Sequence, residues 1–163
     1  MKPSINRTIK LFLLGIIILL STTTTVTALD RDAALEQKCQ EKNSFACFTI
    51  GEKLRTLDKN NTEALKYYVK ACDGGWMTGC TNAGILKTLE GETHGDYQTK
   101  MKIWKQAGKY FTKACDAEEN NACSNLGVLK YKEGRTSAAK KYYKKACDLG
   151  NNLACGLYKN LEK

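Results

Sequence analysis

Histidine is almost absent from this 163-residue sequence, because His94 is the only one. Structural zinc sites favour short cysteine spacings, often with histidine ligands. A zinc site is therefore the weaker interpretation of the eight cysteines. His94 lies in a polar segment, where we expect it to be solvated. Nothing else in the sequence indicates a metal or another cofactor, and we expect none.

The sequence also lacks an apolar run long enough to span a bilayer comfortably. The run Leu11 to Leu20 has ten residues, whereas a transmembrane helix needs about 20. Basic residues precede this run, and a Ser/Thr stretch ending in Val26-Thr27-Ala28 follows it. This order is typical of a secretory signal peptide, with an uncleaved anchor as the alternative. We expect a signal peptide over residues 1–28, cleavage before Leu29, and no stable membrane span after processing.

No cysteine is left over when the cysteines are paired at their one repeated spacing. Eight residues along a continuous helix separate Cα atoms by about 12 Å, and a disulfide tolerates at most about 7 Å. The chain must therefore reverse within each pair if the pairs are bonded, and turn-forming residues lie between them. Export to an oxidising compartment favours disulfides over metal ligands. The predicted bonds are Cys39–Cys47, Cys72–Cys80, Cys115–Cys123 and Cys147–Cys155.

The cysteine pairs belong to an internal repeat. The stretch Ala64 to Leu86 recurs as Ala107 to Leu129 and as Ala139 to Leu161, and a fainter copy begins at Arg31. Self-similarity at this period indicates stacked repeats. We predict an all-α fold, an α-α superhelix of four disulfide-stapled helix hairpins. The repeat domain covers residues 29–163, with units at about 30–57, 58–90, 98–133 and 135–163.

One step between units is longer than the others. The first cysteines of successive units are 33, 43 and 32 residues apart, so ten or eleven additional residues lie between Lys87 and Gln106. The polar segment Glu90 to Asp96 predicts a loop, and Thr99 to Ala114 predicts a lengthened first helix that contains Trp104.

A recurrent glycine supports stacking of the units. Gly51, Gly84 and Gly127 follow the first cysteine of their units by twelve residues, and Lys159 takes this place in the last unit. Glycine within a helix costs about 1 kcal/mol, so its recurrence indicates close approach by the next repeat. The last unit has no successor, and its lysine fits a solvated cap. We also expect at least one ring of each pair Tyr67/Tyr68, Tyr110/Phe111 and Tyr142/Tyr143 to be in the core.

The pattern A-x-x-Y-Y-x-K-A-C-D, a short turn, then A-C and N-x-G-x-L resembles the Sel1-like repeat in its cysteine-rich Hcp form. The resemblance covers residues 31 to 161. It implies a right-handed superhelix of antiparallel helix pairs related to tetratricopeptide arrays, each pair closed by a disulfide. It also implies an exported protein that is either a binding scaffold or a β-lactam-binding protein with weak β-lactamase activity.

The residues for a β-lactamase are incomplete. Serine enzymes of this class need Ser-x-x-Lys, a second polar triplet and a Lys-Thr/Ser-Gly strand. Ser137 and Lys140 match the first motif, although a serine at this place is also typical of a helix N-cap. Tyr158-Lys159-Asn160 is a partial second match, and Lys87-Thr88-Leu89 lacks the glycine. A metallo-β-lactamase is excluded by the single histidine. Ser137 and Lys140 remain weak candidates, and whether the protein is an enzyme stays open.

The basic residues of the sequence are not scattered but recur at the same positions of the repeat. Removal of residues 1–28 takes away three basic and no acidic residues, which leaves 23 Lys/Arg against 17 Asp/Glu. Three of the predicted first helices carry two lysines four residues apart at the same places. Stacking would align these pairs into a ridge that attracts an anionic partner, whereas the alternative is a solvated face whose stems cover neighbouring helices. The six residues of this predicted binding face are Lys66, Lys70, Lys109, Lys113, Lys141 and Lys145.

Two functional classes therefore remain. The first is a secreted or periplasmic scaffold for a protein or peptide, possible partners being anionic or peptidoglycan-derived. The second is a β-lactam-binding hydrolase, which rests on the resemblance alone. Export disfavours nucleic acid as a partner, and we expect a monomer.

Overall fold

The computed structural model describes residues 30–162, which form helices joined by short turns and contain no strand. The predicted signal peptide lies outside these residues. Among the described residues, no helix is both long and apolar enough to cross a membrane. The helices are α1 (30–40), α2 (Ser44–Thr56), α3 (Asn61–Asp73), α4 (Met77–Thr93), α5 (Tyr97–Asp116), α6 (Asn120–Lys132), α7 (Thr136–Asp148) and α8 (Asn152–Asn160).

Consecutive helices form four hairpins, and each hairpin is closed by a disulfide at its turn. The four bonds join the cysteines eight residues apart, and their Cα atoms are 4.5 to 4.7 Å apart. The short Cα separations show that the chain reverses within each pair. The predicted all-α superhelix of disulfide-stapled hairpins is therefore confirmed, and none of the eight cysteines is free.

The turns share one backbone feature. The residue three places after the first cysteine of each unit has a positive φ, from 63° to 93°. Glycine occupies this position as Gly75 and Gly150, but Lys42 and Glu118 adopt the same conformation in the first and third units. A left-handed residue after a helix ends it and redirects the chain. The next helix then begins at a cap: Asn151, for example, accepts a hydrogen bond from the Ala154 backbone N–H at 2.9 Å.

Neighbouring units lock together through an aromatic ring seated on a glycine. A Cβ atom placed on each recurrent glycine would lie only 2.5 to 2.8 Å from carbon atoms of a ring in the next unit, so any larger residue would force the ring or the helix to move. The ring is the second aromatic residue of each predicted pair and is buried. The predictions of close approach and of one core ring in each pair are thus confirmed. The contacts are Gly51 with Tyr68, Gly84 with Phe111, and Gly127 with Tyr143.

The additional residues between units two and three form helix. α4 continues to Thr93 and α5 begins at Tyr97, so only residues 94–96 connect them. The predicted lengthening of α5 is confirmed, whereas the prediction of a loop over Glu90 to Asp96 is wrong for residues 90–93. The reason is a further glycine contact: a Cβ on Gly91 would lie 2.6 Å from Cδ1 of Trp104. The Trp104 indole is buried, and its Nε1–H donates to the Thr88 carbonyl at 3.3 Å.

Candidate functional site

A groove runs along one side of α5. Its volume is about 950 Å³. Residues at successive helical turns of α5 form one wall, and the end of α6 with the following turn forms the other. The lining residues are Gln98, Met101, Lys102, Lys105, Gly108, Lys109, Thr112, Lys113, Asp116, Lys130, Glu133 and Arg135.

The groove is strongly basic, because six lysines and arginines face two acidic residues. Within residues 30–162, Lys102, Lys105 and Lys109 have no hydrogen-bond or ion-pair partner, and all three are exposed. Their like charges are therefore compensated only by solvent and salt. An unneutralised row of charges attracts an anionic partner.

The α6 wall is electrostatically satisfied. Glu133 is almost buried, and its Oε2 lies 2.8 Å from Nζ of Lys130 and 3.5 Å from Nη1 of Arg135. The same Lys and Glu positions recur in unit two, where Nζ of Lys87 lies 2.6 Å from Oε2 of Glu90. This ion pair is therefore a repeated structural feature of the end of the second helix. The lysines of the groove that lack an ion-pair partner within residues 30–162 therefore lie on α5.

The floor of the groove is Gly108. A Cβ atom at this position would meet only Cδ2 of Leu129, at 3.6 Å, which is an ordinary contact. Seven residues before the first cysteine, unit two has Leu65 and unit four has Lys140, so glycine here is particular to unit three. The missing side chain leaves space at the centre of the basic surface.

The structure separates the predicted lysine face into two roles. Lys109 and Lys113 line the groove, whereas the other four lie on α3 and α7 outside it. Lys113 also donates to the carbonyl of Cys72 at 2.9 Å, and Lys145 donates to the carbonyl of Cys115 at 2.9 Å. Each of these two lysines caps the end of the first helix in the preceding unit.

The remaining lysines of that face differ from one another. Nζ of Lys66 lies 2.7 Å from Oε1 of Glu63, and Nζ of Lys70 lies 4.7 Å from the centroid of the Tyr67 ring. Lys141 is exposed on α7 with no partner among the described residues. The pairs are thus equivalent in sequence but not in contacts.

Sequence reasoning missed four basic residues of the groove: Lys102, Lys105, Lys130 and Arg135. A signal for two of them was present, because Lys102, Lys105, Lys109 and Lys113 fall on one side of the helix predicted from Thr99. The pair Lys102 and Lys105 belongs to unit three alone, so a comparison of positions repeated between units does not reveal it.

The weak catalytic candidates lie on α7, outside the residues that line the groove. Ser137 is the second residue of α7 and is exposed; the N-cap is Arg135, so the N-cap interpretation of Ser137 is wrong. Nζ of Lys140 lies 5.5 Å from the Tyr158 ring centroid and 3.7 Å from Oε1 of Glu162. Within the described residues, no hydrogen bond joins Ser137 to Lys140. A hydrogen bond to Glu162 raises the pKa of Tyr158, which disfavours the phenolate that a general base requires.

A second polar cluster joins units one and two and is internally satisfied. The Tyr68 hydroxyl donates to Oε1 of Glu52 at 2.5 Å and accepts from Nε of Arg55 at 3.0 Å, while Asn82 donates to the same Glu52 oxygen. Burial and the hydrogen bond to Glu52 raise the pKa of Tyr68 to about 12. Burial alone would raise the pKa of Glu52, but its hydrogen bonds from Tyr68 and Arg55 lower it overall. These groups stabilise the contact between units and offer no reactive atom.

His94 is exposed in the α4–α5 connection, as expected. Over residues 30–162, no group of three or more His, Cys, Asp or Glu side chains is placed to hold a metal ion.

Comparison with known proteins identifies the fold. No family model and no curated protein matches the chain. A solved Sel1 repeat protein from Oxalobacter formigenes is 20% identical with a TM-score of 0.59, and the match covers 78% of this chain and 96% of that one. Helicobacter pylori cysteine rich protein B is 23% identical with a TM-score of 0.51, over 77% of this chain and 90% of that one. With one disulfide in each helix hairpin, the chain has the fold of a Sel1-like repeat protein of the cysteine-rich Hcp type.

Proposed function

We propose that this protein is an extracytoplasmic interaction scaffold that holds an anionic protein or peptide in the groove along α5. The observation that carries the proposal is the row of three exposed lysines, Lys102, Lys105 and Lys109, which have no partner within residues 30–162. Solenoids commonly present such extended surfaces to partners.

The physical argument concerns charges that the fold itself does not use. Elsewhere on the surface, lysines such as Lys66 and Lys87 form ion pairs with glutamates of their own helix. Successive α5 lysines are about 4.5 and 6 Å apart along the helix axis, which is within the screening length of about 8 Å at physiological ionic strength, so their charges repel one another. An anionic partner relieves that repulsion, and binding should therefore weaken as salt rises.

The predicted binding face of six lysines forms the wider surface around the groove in this proposal. Lys109 and Lys113 belong to the groove, and Lys141 is the exposed lysine of the neighbouring first helix. Lys113 and Lys145 have less freedom to meet a partner, because their ammonium groups bind backbone carbonyls. We therefore place the centre of the binding surface on α5.

The disulfides support the proposed location. All eight cysteines are bonded, which fits an oxidising compartment such as the periplasm or the extracellular space. The predicted signal peptide would deliver the protein there.

The test is recovery of partners from the exported fraction by the immobilised, oxidised protein at low and at physiological salt. Three proteins are compared: wild type, the groove variant Lys102→Glu with Lys109→Glu, and the control Lys38→Glu with Lys159→Glu. Both control residues are exposed, lie outside the groove and give the same change in net charge. We expect the groove variant to lose the partner and the control to retain it.

Circular dichroism is used first to check that both variants are folded. We expect both to fold, because the substituted residues are exposed. Partner recovery that is equal for the three proteins at both salt concentrations would contradict the proposal and assign the α5 lysines to a solvated face.

A further inference from the structure

The groove side of α5 carries two different rows of residues. At about 100° per residue, Lys102, Lys109 and Lys113 lie on one side of the groove face, and the uncharged Met101, Gly108 and Thr112 lie on the other. Lys105 falls between the rows. A partner that fits this surface has one charged face and one uncharged face.

The size of the groove selects an extended chain. From Gln98 to Asp116 the helix rises about 27 Å, so a volume of about 950 Å³ corresponds to a mean cross-section of roughly 35 Å². A helix with its side chains is 10 to 12 Å wide and occupies roughly 80 to 110 Å². A β-strand, about 4.7 Å by 10 Å in a packed sheet, occupies roughly 47 Å². The mean cross-section of the groove is less than half that of a helix and is closer to that of a strand, so the groove favours an extended chain.

The spacing of the lysines selects the position of the acidic groups. Lys102, Lys105, Lys109 and Lys113 succeed one another by about 4.5, 6 and 6 Å along the axis of α5. Alternate side chains of an extended peptide lie on one face and are about 6.6 to 6.8 Å apart. Carboxylates at every second residue thus keep step with Lys105, Lys109 and Lys113, which follow one another by about 6 Å, whereas consecutive carboxylates point to opposite faces.

The length of the acidic stretch is bounded by Asp116. This exposed carboxylate has no partner among the described residues and lies at the end of the lysine row. The row itself extends about 16.5 Å from Lys102 to Lys113, which an extended peptide covers with about five residues. Three carboxylates fit before Asp116 repels the next.

The uncharged row explains what lies between the carboxylates. Gly108 leaves the centre of this row open, with only Cδ2 of Leu129 near the position of a Cβ atom. A small or apolar side chain of the partner enters there, between Met101 and Thr112 along the row. In unit two the equivalent place is filled by Leu65.

We propose that the α5 groove binds an extended peptide in which three acidic residues alternate with small or apolar ones. This rests on the proposed function and names the chemistry of its partner.

The probes are three fluorescent eight-residue peptides, with binding to the oxidised protein measured by anisotropy. The first has three aspartates alternating with alanine and valine, the second has the same composition with the aspartates consecutive, and the third has asparagine in their place. We expect the alternating peptide to bind about fivefold or more tightly than the consecutive one, and the asparagine peptide to show no saturable binding.

Two groove variants and two matched controls locate the binding. Lys102→Glu with Lys109→Glu removes charge, and Gly108→Leu fills the floor with the residue that unit two carries; each should weaken the alternating peptide about tenfold. The controls are Lys38→Glu with Lys159→Glu, and Gly156→Leu, because a Cβ at Gly156 on α8 meets nothing within 4 Å. Neither control should change affinity more than twofold. If Gly108→Leu does not fold, Gly108→Ala provides the smaller obstruction.

Equal affinity for the alternating and consecutive peptides would overturn the proposed register. Polyphosphate that competes as strongly as the alternating peptide would overturn the assignment of a peptide and indicate a general polyanion site. If the groove variants lose the natural partner but the peptides are not distinguished, the inference fails and the proposed function stands. If the groove variants change neither partner recovery nor peptide binding, both fail.

Discussion

Substitution of Gly127 by alanine should destabilise the protein, although alanine is the better helix former. The added Cβ would lie 2.5 Å from Cδ1 and 2.6 Å from Cε1 of Tyr143, whereas carbon atoms pack best at about 3.5 to 4.0 Å. The Tyr143 ring is 4% exposed and is held in the core, so it has no free direction in which to move by the required ångström.

The expected magnitude combines two opposite effects. Overpacking in a dense core costs about 1 to 3 kcal/mol, and removal of a helical glycine returns about 1 kcal/mol. The separation at Gly127 is so short that we expect the upper half of the first range, and hence a net loss of about 1 to 2 kcal/mol. Gly108→Ala is the matched control within α5, because its Cβ would lie 3.6 Å from Cδ2 of Leu129. That variant should gain about 0.5 to 1 kcal/mol.

The assay is urea unfolding of the disulfide-intact proteins followed by circular dichroism, with midpoints compared at unchanged slope. Stabilisation of Gly127→Ala to the extent seen for Gly108→Ala would refute the role of the glycine as a seat for the ring. A double-mutant cycle with Tyr143→Ala adds a second criterion: the penalty of Gly127→Ala should disappear once the ring is removed.

Three further predictions concern the disulfides, Ser137 and Tyr68. Peptide mapping without reduction should recover the four disulfides within their hairpins, and reduction should cost about 2.5 kcal/mol for each nine-residue loop on the entropic account, as measured by denaturation. Ser137→Ala should leave any slow hydrolysis of a chromogenic β-lactam unchanged, and loss of a robust activity would show that the serine is a nucleophile. The pKa of Tyr68 is raised to about 12 by burial and its hydrogen bond to Glu52, so the unfolded chain releases the proton first and stability should fall as the pH rises from about 10 through 12. Tyr68→Phe should show a smaller alkaline loss than wild type in unfolding midpoints measured across this range.

Much of the fold could be predicted because the same cysteine spacing and the same glycine position recur in successive units. Cysteines eight residues apart exclude a continuous helix if they are bonded, and the turn residues between them favour a hairpin. The recurrent glycines marked the stacking face correctly, since Gly51 and Gly84 lie against the rings of Tyr68 and Phe111. What was predicted is the part of the structure that each unit repeats.

The parts that sequence reasoning missed depend on contacts between residues that are far apart in the sequence. The segment after Glu90 contains Gly91 in polar surroundings and therefore predicted a loop, but the Trp104 indole packs on that glycine and keeps the segment helical. Similarly, the repeated position of Lys113 indicated a binding face, whereas its bond to the carbonyl of Cys72 links two units and depends on how they stack. Local patterns do not report such contacts.

The groove depends on the additional residues between units two and three, which lengthen α4 and α5. Gly91 follows Gly84 by seven residues, and Trp104 precedes Phe111 by seven, so two helical turns bring the second glycine and the second ring to the same faces as the first. The lengthened helices therefore continue the stacking contact of the regular units. This contact anchors the first half of α5 and presents Gln98, Met101 and Lys102 to the groove. The first helices α3 and α7 begin only after the equivalent positions, and we infer that binding is centred on the third unit.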